Sequence, residues 1–224
     1  MLYPAELRAQ YTSVWQSTTY HCYDGCMAVG ALHKENEIKV AVPDLSALEV
    51  RLHSLGFQIL HPRVFESNLI YDTPGADLCG RGELIRIRQA GGNSIFTYKG
   101  PATVTRHKER EELELTVGDP QTLGIILQRL GYEPRFRYEK YRTEWAIPGD
   151  DGILMIDETP VGIYMELEGP ADWIDHLAAL LGYAESDYLN ISYAGLYAQD
   201  CERRGVVPAH MVFETAAVPH TADA

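Results

Sequence analysis

The chain is short of cysteine, short of basic residues relative to acidic ones, and without any long apolar run, and each shortage removes a class of protein. Cys22, Cys26, Cys79 and Cys201 are the four cysteines of 224 residues, too few and too scattered for a disulfide framework, so a reducing compartment is expected. No stretch approaches the roughly eighteen apolar residues of a membrane helix, and "MLYPAELRAQ" lacks the basic-then-apolar layout of a signal peptide. The expectation is a cytoplasmic protein with no membrane partner. Nineteen Lys and Arg against thirty-two Asp and Glu leave a formal net charge of −13, which disfavours adhesion to a nucleic acid polymer. Any polyanion must be met by a local set of cations.

What is present is a hydrophobic content of 46%, enough for a substantial core. Residues 1–34 show neither helical nor strand periodicity and are set apart as an N-terminal extension. Residues 205–224 are rich in Pro, Ala and Thr without a patterned apolar face, which predicts a flexible C-terminal tail. The functional unit is expected over 35–204.

Within it, "DLSALEVRLHSLGF", "DPQTLGIILQRLGY" and "DWIDHLAALLGY" each run from Asp to Leu-Gly-aromatic, which is helix punctuation. Asp44, Asp119 and Asp172 are candidate N-caps or first-turn acids, and Gly56, Gly131 and Gly182 candidate stops. Leu45, Leu48, Leu52 and Leu55 share one stripe of the first helix, as Leu123, Ile126, Leu127 and Leu130 do of the second.

Between the helices lie two-faced strands. In "ENEIKVAV", Glu35, Glu37 and Lys39 share a face opposite Ile38, Val40 and Val42. The pattern recurs: Arg86 and Arg88 oppose Ile85 and Ile87, and Lys99 opposes Phe96 and Tyr98. Arg110, Glu112 and Glu114 oppose Leu113 and Leu115. Tyr138, Lys140, Arg142 and Glu144 oppose Tyr141, Trp145 and Ile147, and Tyr164, Glu166 and Glu168 oppose Ile163, Met165 and Leu167. Asp157 falls in line with Ile153 and Met155.

For any one strand the ordinary reading is a solvated charged side on an antiparallel sheet. The sum points elsewhere, because seven cations and, Glu144 apart, seven anions are gathered on these faces from a chain that is acidic elsewhere. A sheet curled into an eight-stranded barrel, with helices over its apolar outside, places those charges in a tunnel with room for one small ligand. Cations there suit a polyphosphate. Carboxylates beside them require a hard divalent metal to avoid repelling it, Mg²⁺ or Mn²⁺ by ligand type.

In order along residues 35 to about 197, the Glu-x-Glu-x-Lys of Glu35, Glu37 and Lys39, "NLIYDTPGADLCGRGELIRIR", "TYKGP", "REELEL", "EKYRTEW", "LMIDETPVGIYMELEG" and "ISYAGLY" resemble the CYTH superfamily, the triphosphate tunnel metalloenzymes. That superfamily includes class IV (CyaB-type) adenylate cyclases, thiamine triphosphatases and inorganic triphosphatases. The resemblance implies an α+β fold, an antiparallel eight-stranded barrel with a charged lumen and helices outside. It implies phosphate-binding roles for Lys39, Arg86, Arg88, Lys99, Lys140 and Arg142, a metal-binding set of Glu35, Glu37, Glu112, Glu114, Asp157, Glu166 and Glu168, and a catalytic part for Glu35, Glu37 and Lys39. It further implies a homodimer and a small-molecule triphosphate substrate.

Two reactions fit: cyclisation of ATP to cyclic AMP and pyrophosphate, towards which the segments lean, or hydrolysis of tripolyphosphate, thiamine triphosphate or a nucleoside triphosphate. A noncatalytic polyphosphate-binding module is a third reading, which the full carboxylate set opposes. Other residues are set aside. His21, Cys22, Cys26 and His33 match no common zinc spacing. Gly80 and Gly82 lack the Gly-Lys-Ser/Thr ending of a phosphate loop. Ser192 and Tyr193 are expected to serve as helix start and core packing, and Trp145 and Trp173 as outer-face core.

Overall fold

In the computed structural model, residues 34–214 are described, so the expected N-terminal extension, and the His21, Cys22, Cys26 and His33 group with it, lie outside the described residues. Alternation of charged and apolar residues generates the strands: β1 Lys34–Ala41, β2 Gln58–Asp72, β3 Leu84–Ala90, β4 Asn93–Lys99, β5 Thr103–Val104, β6 Lys108–Thr116, β7 Glu133–Ala146, β8 Ile153–Thr159 and β9 Gly162–Glu168. Their spatial order is β1-β9-β8-β7-β2-β3-β4-β6, and β1 pairs with β6 to close the ring. The result is the expected closed antiparallel eight-stranded barrel; β5 is two residues appended to β6.

The outer face is roofed by helices. α1 (Leu45–Ser54) and α4 (Ala171–Leu180) supply Leu48, Leu52, Ile174, Leu177 and Ala178 to a cluster with Ile38, Val40, Val42, Trp145, Leu154, Ile156, Met165 and Leu167. Each fully covered side chain of this kind contributes about 1.5–3 kcal/mol relative to exposure. α3 (Pro120–Arg129) lays Leu127 over Ile85 and Ile87, with a short α2 (Asp77–Gly80) adding Leu78. Trp145 and Trp173 both join the first cluster, as expected.

The punctuation also acts as predicted. The Asp44 side chain accepts from Ala47 N–H and that of Asp119 from Thr122 N–H, both at 3.0 Å. Pro170 rather than Asp172 precedes α4, which leaves Asp172 as its first-turn acid. Gly56, Gly131 and Gly182 all have φ near +90°, where a Cβ would be strained.

β2 does not alternate cleanly in sequence. It carries Pro62 and pairs with β7 through several register shifts, which is why charge patterning passes it over.

The C-terminal end departs from expectation. After α5 (Tyr193–Arg204), residues 210–213 dock on β7. β8 pairs with β7 only from Tyr141 onward, leaving an unpaired edge at 137–139. Met211 fills it: its N–H donates to Arg137 C=O at 3.0 Å and its C=O accepts from Glu139 N–H at 2.8 Å, with the side chain fully buried. These two bonds pair backbone groups that the shorter β8 leaves without a strand partner. Residues 215–224 lie outside the described residues.

Candidate functional site

The inward faces of the strands enclose a cavity of about 730 Å³. Lys39, Arg86, Arg88, Lys99, Lys140 and Arg142 all reach its wall, as do Glu35, Glu37, Glu112, Glu114, Glu166 and Glu168. One predicted site residue does not. Asp157 is fully buried behind the wall, where it accepts from Lys140 Nζ at 2.8 Å, from Arg142 Nε and Nη2 at 2.7 and 2.6 Å, and from the Tyr193 hydroxyl at 2.5 Å. Both its oxygens are taken by donors, so it anchors two cations in place of presenting a free carboxylate.

The cations concentrate on the β3 and β7 walls. Arg86 Nη2 donates to Thr97 Oγ1 at 3.1 Å and lies 3.4 Å from Glu114 Oε1 and 3.6 Å from Glu112 Oε1. Arg88 Nη2 is 3.3 Å from the same Glu114 oxygen. Arg142 Nη2 also reaches Glu166 at 2.5 Å, and Lys39 Nζ lies 3.3 Å from Glu166. Burial acts to push the Glu166 carboxyl up, but Lys39, Arg142 and Lys140 outweigh it and hold it well below the usual range.

The opposite wall also carries cations, Lys39, Lys99, Lys108 and Arg110, but crowds its acids together. Glu37 and Glu168 are directly opposed across β1 and β9, a pairing that repels unless a cation intervenes. Glu35 and Glu112 share Lys99, whose Nζ lies 2.8 Å from Glu35 and 2.5 Å from Glu112. Burial and the Glu35 contact push Glu112 up, against Lys99. Glu168 is pushed up to about 7, first by burial and then by Glu35. Lys108 pairs with Glu37. This cluster carries more negative charge than its lysines neutralise, so its donors fit a hard divalent cation. Among the described residues no three His, Cys, Asp or Glu side chains already converge as a ligand set. Magnesium, which takes one or two carboxylates and completes its shell with water and phosphate, does not need such a set.

Three cavity-lining residues, Lys108, Arg110 and Tyr193, and Glu66, buried behind the wall, escape sequence reasoning or were set aside by it. Glu66 on β2 lies 3.5 Å from Lys140 and 3.9 Å from Arg88. Lys108 is one turn of alternation before Arg110. Arg110 itself lines the cavity and donates to Gly100 C=O at 2.7 Å. Tyr193 follows the N-cap Ser192 as expected, yet its ring also lies 3.9 Å from Lys39 Nζ and it lines the cavity. The signal for Glu66 and Tyr193 is only their distance from the other charged rows in sequence.

A family model described as the CYTH domain matches residues 33–185. The chain is 30% identical over 141 residues, 60% of its own length and 75% of the other, to a Methanocaldococcus jannaschii protein named "Putative adenylate cyclase MJ0240". Among solved structures it resembles one described as a putative adenylate cyclase from Vibrio parahaemolyticus, with TM-score 0.66 and 18% identity over 74% of this chain and 98% of that one. It also resembles a Hippeastrum protein, HpAC1, described as a putative adenylyl cyclase that reveals a dominant triphosphatase activity, with TM-score 0.55 and 17% identity over 78% and 97% of the two chains. No helix of the described residues is long and apolar enough to cross a membrane.

Proposed function

The chain belongs to the CYTH domain family, and from that premise we propose that it is a metal-dependent enzyme acting on a triphosphate held in the barrel cavity, with cyclisation of a nucleoside triphosphate as the first reading. The observation that carries the proposal is the mixed lining of the cavity: Arg86, Arg88, Lys140 and Arg142 on β3 and β7, and a crowd of carboxylates, Glu35, Glu37, Glu112 and Glu168, facing them around Lys99 and Lys108. An anion-capture module has no use for those carboxylates.

Arg86, Arg88, Lys140 and Arg142 supply planar and point charges for phosphate oxygens. Asp157 and Glu66 hold Lys140 and Arg142 in place before substrate arrives, so little reorganisation accompanies binding. A divalent ion on the carboxylate side would neutralise charge developing on the phosphates. In the cyclase reading the ribose 3′-oxygen bonds to the α-phosphorus, the α–β bridging bond breaks, pyrophosphate departs and the hydroxyl proton passes to the acidic wall.

Hydrolysis at the terminal phosphorus is the second reading, supported by the activity named for HpAC1, since the same walls serve either phosphorus. Incubation with Mg²⁺ or Mn²⁺ and ATP, thiamine triphosphate or tripolyphosphate separates them. Cyclic AMP with pyrophosphate is expected; orthophosphate selects hydrolysis. Metal-dependent binding without turnover of any substrate overturns the enzyme reading.

A further inference from the structure

The docked C-terminal segment has a narrow footing. Residues 202–210 and Val212 are exposed, and between them Met211 is fully buried. Besides the two Met211 backbone bonds, Arg137 N–H donates to His210 Nδ1 at 3.2 Å and Phe213 N–H donates to Glu139 Oε2 at 3.0 Å. So short a contact can open without the barrel unfolding.

The Met211 side chain enters a buried cluster with Tyr138, Tyr164, Tyr193 and Leu196. Tyr138 and Tyr193 stack there at 5.8 Å and 28°, and both lead to phosphate-type cations. The Tyr138 hydroxyl accepts from Arg86 Nη1 at 3.3 Å. The Tyr193 hydroxyl donates to Asp157, which holds Lys140 and Arg142, and the Tyr193 ring lies against Lys39 Nζ. A tyrosine ring turns on two torsions, so its hydroxyl is only as fixed as the packing around the ring. Met211 supplies that packing from behind the wall. Filling a hole accounts for the burial of Met211 but not for its place, since the rings in its cluster are those whose hydroxyls end on Arg86 and Asp157.

We infer that the docked segment 210–213 sets phosphate affinity, with Met211 as a positioning residue that acts through Tyr138 and Tyr193 on Arg86, Lys39, Lys140 and Arg142. This rests on the triphosphate reading above and adds a control on the same site. With the segment docked, the cations are held ready for phosphate oxygens; with it released, the rings loosen and binding must order them again. Linkage makes the effect reciprocal: phosphate favours the docked segment by the factor that docking favours phosphate.

The first test is calorimetric titration of the full chain with tripolyphosphate in Mg²⁺, with orthophosphate release monitored. Met211→Ala is expected to weaken tripolyphosphate about tenfold, inside the range of about 5- to 150-fold usual for coupled sites. Met211→Leu conserves volume and is expected to stay within about twofold of wild type. Leu177→Ala, on α4 in the outer-face cluster, also opens a core cavity and is expected to leave the affinity unchanged, which separates positioning from lost stability. The second test needs no variant and decides the question even where Met211→Ala does not fold. In the wild type, exchange of the Met211 and Glu139 amide hydrogens is expected to slow about tenfold on saturation with tripolyphosphate, while that of Ala47 in the first turn of α1 does not. Unchanged affinity in a folded Met211→Ala protein, an equal loss in Leu177→Ala, or unchanged exchange at Met211 overturns the positioning role and leaves the triphosphate reading standing. Failure of the wild type to bind tripolyphosphate overturns both.

Discussion

Arg142 grips Asp157 with both arms of its guanidinium, Nε to Oδ1 at 2.7 Å and Nη2 to Oδ2 at 2.6 Å. The carboxylate has no exposure to the cavity and is closed off further by Lys140 and Tyr193. Its job follows from that geometry: it sets the positions of two cations. Asp157→Ala leaves both cations buried without their main partner, so a loss of about 3–5 kcal/mol is expected, a fall of roughly 10 °C in Tm for a chain of this size. Asp157→Asn is the more informative variant. It is expected to weaken tripolyphosphate binding while leaving the magnesium concentration for half-maximal binding unchanged. A tenfold higher magnesium requirement with intact phosphate affinity would return Asp157 to the metal set.

Glu66 offers a pH test. Burial raises its pKa, but Lys140, Arg142, Arg88 and Arg86 together outweigh that and hold it at about 2, below the ordinary 4.5. A depressed folded pKa stabilises the fold above the unfolded value, and the stabilisation is lost as pH falls towards the folded one. Glu66→Gln keeps the shape and removes the charge. It is expected to cost on the order of 3 kcal/mol at pH 7, with the gap from wild type shrinking below about pH 4.5 and nearly closed by pH 2. Denaturant titrations at several pH values measure it; a gap that stays constant from pH 7 to pH 3 contradicts the electrostatic account.

Much of this arrangement is legible in the sequence because a barrel strand advertises both of its faces. Most of the barrel strands alternate charged with apolar residues, and the buried set Ile38, Val40, Met165 and Leu167 is the outward set so read. What alternation cannot give is depth. Asp157 and Glu166 look alike in sequence, yet only Glu166 reaches the cavity, because depth depends on which long cations fold over which short acids. Nor can alternation find β2, whose pleat is broken by register shifts, or the partnership of Tyr193 with Asp157, which joins residues 36 positions apart. The docking of Met211 is hidden for the same reason, since the edge it fills exists only because β8 starts its pairing at Tyr141.

That docking predicts a stability role for a segment that composition marks as a tail. Met211 is fully buried and both its backbone groups are bonded to β7. Met211→Ala keeps the backbone bonds and removes the side chain, so a loss of about 2–5 kcal/mol is expected. Removal of residues 206–224 is expected to cost at least as much, because it also reopens the edge at 137–139. Thermal melts of both variants decide the point: a truncated chain as stable as the full one would mean that the segment rests on β7 without supporting it.

Glu37 distinguishes a structural acid from a metal-holding one. It faces the cavity, opposes Glu168 directly across the strands, and has Lys108 as its ion-pair partner. Were its purpose only to neutralise Lys108, Glu37→Ala would leave a partly exposed lysine that water screens, with a cost within about 1 kcal/mol and unchanged activity. If the carboxylate surplus instead serves a divalent ion, the same variant removes part of the donor set while relieving repulsion with Glu168. The fold and Tm should then hold within a few degrees while metal-dependent turnover falls at least about 100-fold. Circular dichroism and product formation in Mg²⁺ and Mn²⁺ test both halves of that expectation. Wild-type turnover in a folded Glu37→Ala protein would remove Glu37 from the catalytic account, because the substitution takes away a carboxylate while leaving Lys39 and the phosphate cations untouched.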